Sequence, residues 1–275
     1  MYRIMVEESV ETSIFKKIWM DWTVGIGKIY DETDIIKIKN SRSFPREFCL
    51  QFAGLEGNVL SQSALDRCIS TGEQLAKTAP LDDWSIPTNY VMSIDIGWGS
   101  SATAIMVSRF VSGKVQILYS REFTRPIFQD ILNEIWSLKN RCNGNLKNII
   151  MDAANTELYT ALCNEFKQDP SQQYLRDKQA WCKQTDSDIM RYLFVIPIPF
   201  NPQGKTMLNH TQRMLEEKED DGSAIVGIHK QFEDLVTSCR SAYATEDKLD
   251  KERTVHSDTF DSLRLNLQYY KWSDK

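Results

Sequence analysis

The sequence has 275 residues, 41% of them hydrophobic and 26% charged, enough for one large domain with a real apolar core. Seven Trp, ten Tyr and twelve Phe exclude a disordered chain, because that much aromatic surface does not stay solvated. Thirty-three Lys and Arg against 38 Asp and Glu leave a formal charge of −5, which argues against a module that coats nucleic acid through positive charge alone.

No apolar run approaches the roughly 20 residues that cross a bilayer, and the start MYRIMVEESVETS has no signal-peptide core. A soluble cytoplasmic protein with no membrane partner is expected. Cys49, Cys68, Cys142, Cys163, Cys182 and Cys239 are scattered without a C-x-x-C pair, which reads as buried thiols in a reducing compartment rather than a zinc site.

Residues 1–89 are mixed, polar and aromatic, with a short element expected over 47–52, turn residues over 54–58 and a helix over 63–77. APLDDWSIP at 79–87 reads as a linker, since two prolines flank acids and Trp84. Strands are expected over 90–96, 103–110 and 114–123, the last two joined by a Ser112-Gly113 turn. A helix follows over 127–140, with Ile127, Ile131, Ile135 and Leu138 on one face. NIIMD at 148–152 is a fourth strand and 156–166 a helix; residues 168–190 look like a polar insertion. LFVIPIP at 193–199 reads as a buried-type strand at a sheet edge or ending early, because of its prolines. A charged helix over 206–219, a strand over 224–229 and helices over 231–243 and 258–270 complete the order. Three consecutive strands followed by alternating strands and helices describe an α/β fold, a mixed sheet with helices on both faces.

Three acids stand out by position. Asp95 ends the first strand before Gly97 and Gly99, Asp152 ends NIIMD, and Asp258 opens the last helix, with Asp261 one turn later on the same face. An acid after Met-Ser-Ile or Ile-Ile-Met is costly unless a cation meets it. Two such acids on neighbouring strands require a raised pKa or a metal ion. Hard divalent cations take oxygen ligands, and two ions about 4 Å apart suit phosphodiester cleavage. Each acid also has a plain structural reading: Asp258 could be an N-cap, and Asp152 could cap the helix after it. Asp95 has no such duty.

With those residues placed, the chain resembles the nuclease domain of viral and phage-type terminase large subunits, which have a ribonuclease H-like fold. SIDIGWGSSATAI, NIIMDAANTELY and HSDTFDSLRLNL carry the resemblance, over about 90–270. It implies a ribonuclease H-like domain at 90–275 behind an arm at 1–89, whose SFPREFCLQFAGLEGNVLSQSAL resembles the junction to an ATPase motor. It also implies a metal-dependent endonuclease with two Mg²⁺ or Mn²⁺ ions. Asp95, Asp152 and Asp258 are the implied catalytic metal ligands and Asp261 a fourth, Asp95 bridging both ions. His256 falls where many members have a His. Ser257 stands where the family often has a further acid, which leaves Asp258 and Asp261 both open as the principal third ligand. Implied partners are double-stranded DNA, an ATPase motor, a small terminase and a portal.

The chain itself has no phosphate loop: Gly25-Ile-Gly-Lys28 lacks the glycine spacing, and NPQGKT at 201–206 has Pro199 where the first glycine belongs. It is expected to be either a piece of a longer protein or a product without its motor half. Lys205 reads as a helix-start cation. Arg121, Arg125, Lys139, Arg141 and Lys147 read either as scattered solvent charges or as phosphate contacts along a DNA groove. Two other enzyme classes stand beside the nuclease. Asp95-Ile-Gly-Trp-Gly-Ser also resembles the first phosphate motif of actin-like or sugar-kinase-type ATP-binding proteins, for which the second glycine-rich hairpin and the adenosine motif are missing, and Holliday-junction resolvase relatives have the same acids. A structural adaptor whose acids only cap helices is the non-enzymatic alternative.

Overall fold

In this computed structural model the described residues are 31, 57–97, 102–167, 194–245 and 248–273. The element expected over 47–52, the candidate loop at Lys28, Trp98, Cys49, Cys182 and the stretch 168–190 lie outside them. Residues Gly57–Lys275 form one compact unit.

Unbroken apolar runs give the central strands, which must be covered on both faces. Strand β1 (Tyr90–Asp95) is buried at every residue. It pairs antiparallel with β2 (Ala102–Val111), and β2 pairs antiparallel with β3 (Lys114–Thr124). Ser112 and Gly113, both at positive φ (52° and 77°), make the two-residue hairpin turn between them, which matches strand twist when both residues are left-handed. Helix α1 (Gln62–Thr78) precedes these strands, and α2 (Phe128–Arg141) follows them. Ile127 was expected on the buried face of α2; it instead precedes the helix and is 68% exposed.

Strand β4 (Leu146–Asp152) runs parallel to β1, with helix α3 (Thr156–Glu165) after it. Strand β5 (Val195–Ile198) runs parallel to β4 at the sheet edge, where its proline is tolerated. Helix α4 (Phe200–Glu216) begins earlier than the sequence pattern suggests, across a kink at Asn201. Strand β6 (Val226–Gly227) is only two residues long and pairs parallel with β3. After α5 (Glu233–Ser241), a two-stranded hairpin of β7 (Ala244–Thr245) and β8 (Lys248–Leu249) leads to α6 (Ser257–Ser273). That hairpin has no counterpart in the sequence pattern, because two-residue strands carry no periodicity.

The sheet order is β5-β4-β1-β2-β3-β6. Three antiparallel strands are extended by β4 and β5 parallel to β1 on one side and by the short β6 parallel to β3 on the other, with helices on both faces, which is the mixed α/β sheet expected. Tyr90, Met92, Ile94, Ile149 and Met151 face a core shared with α2 and α3. Val91 and Ile150 face the opposite way, toward Met207 of α4 and Leu265 of α6. α6 is buried on nearly all sides, as a helix sandwiched between a sheet and other helices must be. Its polar residues are partnered: Ser262 meets Ser93, and Asn266 donates to Val91 O and accepts from Ser108. α1, which lies within the expected arm, packs on β6; a Cβ at Gly72 would come within 2.4 Å of the Ile228 backbone, so only glycine allows that approach. Among the described residues no helix is long and apolar enough to cross a membrane.

Candidate active site

The two-residue period of a strand decides where the acids go. On β1, Asp95 shares a face with Val91 and Ser93; on β4, Asp152 shares a face with Ile150. Both therefore end adjacent parallel strands on the side covered by α6. α6 then brings Asp261 over the same end. Asp95, Asp152 and Asp261 line one pocket of about 250 Å³, with Lys248, Lys251 and Arg264 as its cations.

Asp258 stands one helical turn before Asp261 and is half-buried. Its Oδ2 accepts from the Ala102 amide of β2 at 3.2 Å. The N-cap reading of Asp258 is thus replaced by a tie to a neighbouring strand. The capping reading of Asp152 also gives way: Asn155 caps α3 by accepting from Leu158 N, while Asp152 accepts from Ala154 N in its own turn.

Asp95 is only 5% exposed. Burial pushes its carboxyl well above the ordinary carboxylate range, and Asp261, Asp258 and Asp152 push the same way against the opposing Lys251. Asp258 is raised as well, by burial first, with Lys251 and the Ala102 amide working against it. Burial disfavours the charge on Lys251, yet Asp261, Asp95 and Asp258 outweigh that and hold its ammonium above the usual lysine value.

The sequence pattern did not single out three residues that shape this site. Arg264, 4% exposed, places Nη1 2.5 Å from Asp261 Oδ1 and donates from Nη2 to Gly204 O at 2.6 Å. Lys251 Nζ lies 2.8 Å from Asp261 Oδ2 and 3.7 Å from Asp258 Oδ1. Glu122 of β3 takes His256 Nδ1 at 3.0 Å and the Thr259 hydroxyl at 2.8 Å, bracing the start of α6. The signals were present but weak: Arg264 follows Asp261 by three residues, and Lys251 sits in a charged run. NPQGKT, set aside as a phosphate loop, contributes Gly204 to the pocket wall instead; Lys205 lies inside α4.

The five basic residues considered as one patch fall at opposite ends of the sheet. Arg121 and Arg125 lie at the end of β3 near the acids, whereas Lys139, Arg141 and Lys147 lie where α2 ends and β4 starts. Three of the five hold aromatic rings: Arg121 over Phe123, Lys139 over Trp136 and Phe166, and Arg141 over Trp84.

The donor set suits a hard divalent cation: carboxylate oxygens only, one of them deeply buried among like charges. As the side chains lie, no three His, Cys, Asp or Glu among the described residues form a ready metal cluster. Both oxygens of Asp261 are instead on cations.

No protein-family model matches the sequence, and no curated protein matches it. Solved structures similar to it include the large terminase of a thermophilic bacteriophage (11% identity, 67% of this chain and 40% of that one, TM-score 0.47). The large terminase nuclease of the thermophilic phage G20c is similar at 13% identity, over 79% of this chain and 100% of that one, with a TM-score of 0.47. A G20c nuclease structure with bound magnesium is similar at 12% identity, over 66% and 82%, with a TM-score of 0.40. The chain thus spans 40% of the length of the first of these, the large terminase.

Proposed function

We propose that this chain is a metal-dependent DNA endonuclease of the kind that acts in viral genome packaging, the nuclease part of a terminase large subunit. The observation that carries the reading is the pocket that Asp95, Asp152 and Asp261 line together at the ends of two adjacent parallel strands, with Asp258 one turn away. Asp95 and Asp152 are the proposed catalytic ligands, joined by Asp261, Asp258 or both. Two Mg²⁺ or Mn²⁺ ions held by these oxygens would supply the Lewis acidity that activates water and stabilises the leaving oxygen.

The protein's own groups do the rest. Asp95 is kept from water by the sheet and α6, so its charge acts at short range and low dielectric. Arg264 fixes the orientation of Asp261, and the Ala102 amide fixes that of Asp258. Lys248 at the pocket wall is suited to a phosphate oxygen. The charge of −5 implies a weak grip on double-stranded DNA by this chain alone. Grip in the host cytoplasm would then come from partners: an ATPase motor joined through an arm at 1–89, a small terminase and a portal.

The test is nicking or linearisation of a supercoiled plasmid with Mg²⁺ or Mn²⁺ against a chelator control. Asp95→Ala and Asp152→Ala are each expected to abolish cleavage. Full activity in both variants, or cleavage indifferent to chelator, would sink the assignment.

A further inference from the structure

We infer that Lys251 is the resident counter-cation of the acidic pocket, and that its ammonium and an entering divalent ion compete for one oxygen, Oδ2 of Asp261. The inference rests on the metal-dependent reading proposed above.

Asp261 has two oxygens and each has a cation on it. Oδ1 is held by Arg264, which is 4% exposed, anchored on Gly204 O and laid over the Phe200 ring. That guanidinium has no route out without unpacking α4 from α6. Oδ2 is held by Lys251 at 2.8 Å, and the lysine side chain is 59% exposed. Of the two, only Lys251 can turn away into solvent.

Its backbone stays where it is. Asp250 N donates to Tyr243 O, Thr254 N returns to Asp250 O, and the Asp250 carboxylate accepts from Glu252 N and Arg253 N. The loop between β8 and α6 is therefore a closed turn, and displacement of Lys251 is a matter of side-chain torsions. A carboxylate oxygen has two lone-pair sites, so the ammonium does not fill it, but an ammonium and a divalent ion on one oxygen lie close enough to repel each other strongly. Replacing one positive charge by two among four carboxylates favours the ion. The lysine lowers the ion's net gain by the strength of the contact that must first be broken, which is a negative coupling between two ligands of one site.

The chain is stripped with chelator, and Mn²⁺ binding is titrated at fixed pH by the spin-resonance signal of the free ion. Lys251→Met is expected to bind its first Mn²⁺ about tenfold tighter than the unsubstituted chain, within the usual range of coupling between sites. Lys251→Arg, which keeps the charge, is expected to stay close to the unsubstituted chain. In chelator, Lys251→Met should also melt at a lower temperature, because the acids lose their counter-charge, and should gain more on adding Mn²⁺. Equal or weaker binding by Lys251→Met overturns the inference and leaves the metal reading standing. So does equal tightening by Lys251→Arg, since charge would then not be the cause. No Mn²⁺ binding by any of the three chains overturns the metal reading and this inference with it.

Discussion

Arg109 makes a sharp prediction, because its guanidinium has 0% exposure and is held by carbonyl and amide oxygens. It donates from Nε to Gln116 Oε1 at 2.9 Å, from Nη1 to Asp83 O, and from Nη2 to Ala79 O and Pro80 O at 3.0 and 2.9 Å. The segment read from sequence as a linker is thus strapped to β2 and β3 by one side chain. In Arg109→Met, Ala79 O keeps the Gln116 amide and Pro80 O keeps the Asp83 amide as donors, but Gln116 Oε1 and Asp83 O lose theirs. A buried acceptor left alone costs about 1–3 kcal/mol. The sum over these two is lowered because Asp83 O is only part-buried and because a desolvated charge is removed. A net loss of about 2 kcal/mol is expected, or roughly 4–8 °C in Tm for a unit of this size. Urea unfolding followed by tryptophan fluorescence measures it, and Trp84, stacked on Tyr90 at 5.9 Å, reports the strap directly. A loss below about 1 kcal/mol would mean the carbonyls find water easily and the strap contributes little.

The remaining predictions concern the acids and the thiols. Because Asp95 holds its proton more tightly in the fold than in the unfolded chain, stability is lost as pH rises through its native pKa. Asp95→Asn should therefore raise Tm in chelator at neutral pH, with the gain vanishing in acid, while cleavage is lost; a lower Tm at neutral pH would refute this. Asp261→Asn is expected to reduce cleavage more than Asp258→Asn, since Asp261 lines the pocket and Asp258 does not; parallel plasmid assays decide it, and the reverse order would refute it. Burial pushes the thiols of Cys68 and Cys142 up to about 12, so both should resist alkylation at pH 8 until the chain is denatured. Peptide mapping checks this, and modification of either in the native chain would count against its burial.

The elements that carry strong periodicity were legible from the chain. β1 to β4, the Ser112-Gly113 turn, α2 and α6 fall within one or two residues of their expected bounds, apart from the later end of α6. What escaped was of two kinds. β7 and β8 are two residues each, too short to show alternation, and they exist only because neighbours supply hydrogen bonds; the strand expected over 224–229 is present but pairs over only Val226–Gly227. Contacts between distant segments escaped as well: Glu122 on His256, Lys251 on Asp261, and Gly204 on Arg264 lie 134, 10 and 60 residues apart.

The same division runs through the acids. That Asp95 and Asp152 stand at strand ends follows from local sequence, because an acid after a run of core residues marks where a strand leaves the interior. That they share a pocket follows from strand pairing. β1 and β4 are adjacent and parallel, so equal parity puts both carboxylates on the α6 face. Which of Asp258 and Asp261 joins them depends on the angle at which α6 crosses the sheet. A helix displays both residues on one face, so spacing alone has no means of choosing; the packing of Phe260 and Leu263 into the core, with Arg264 wedged against α4, turns Asp261 into the pocket and Asp258 toward β2.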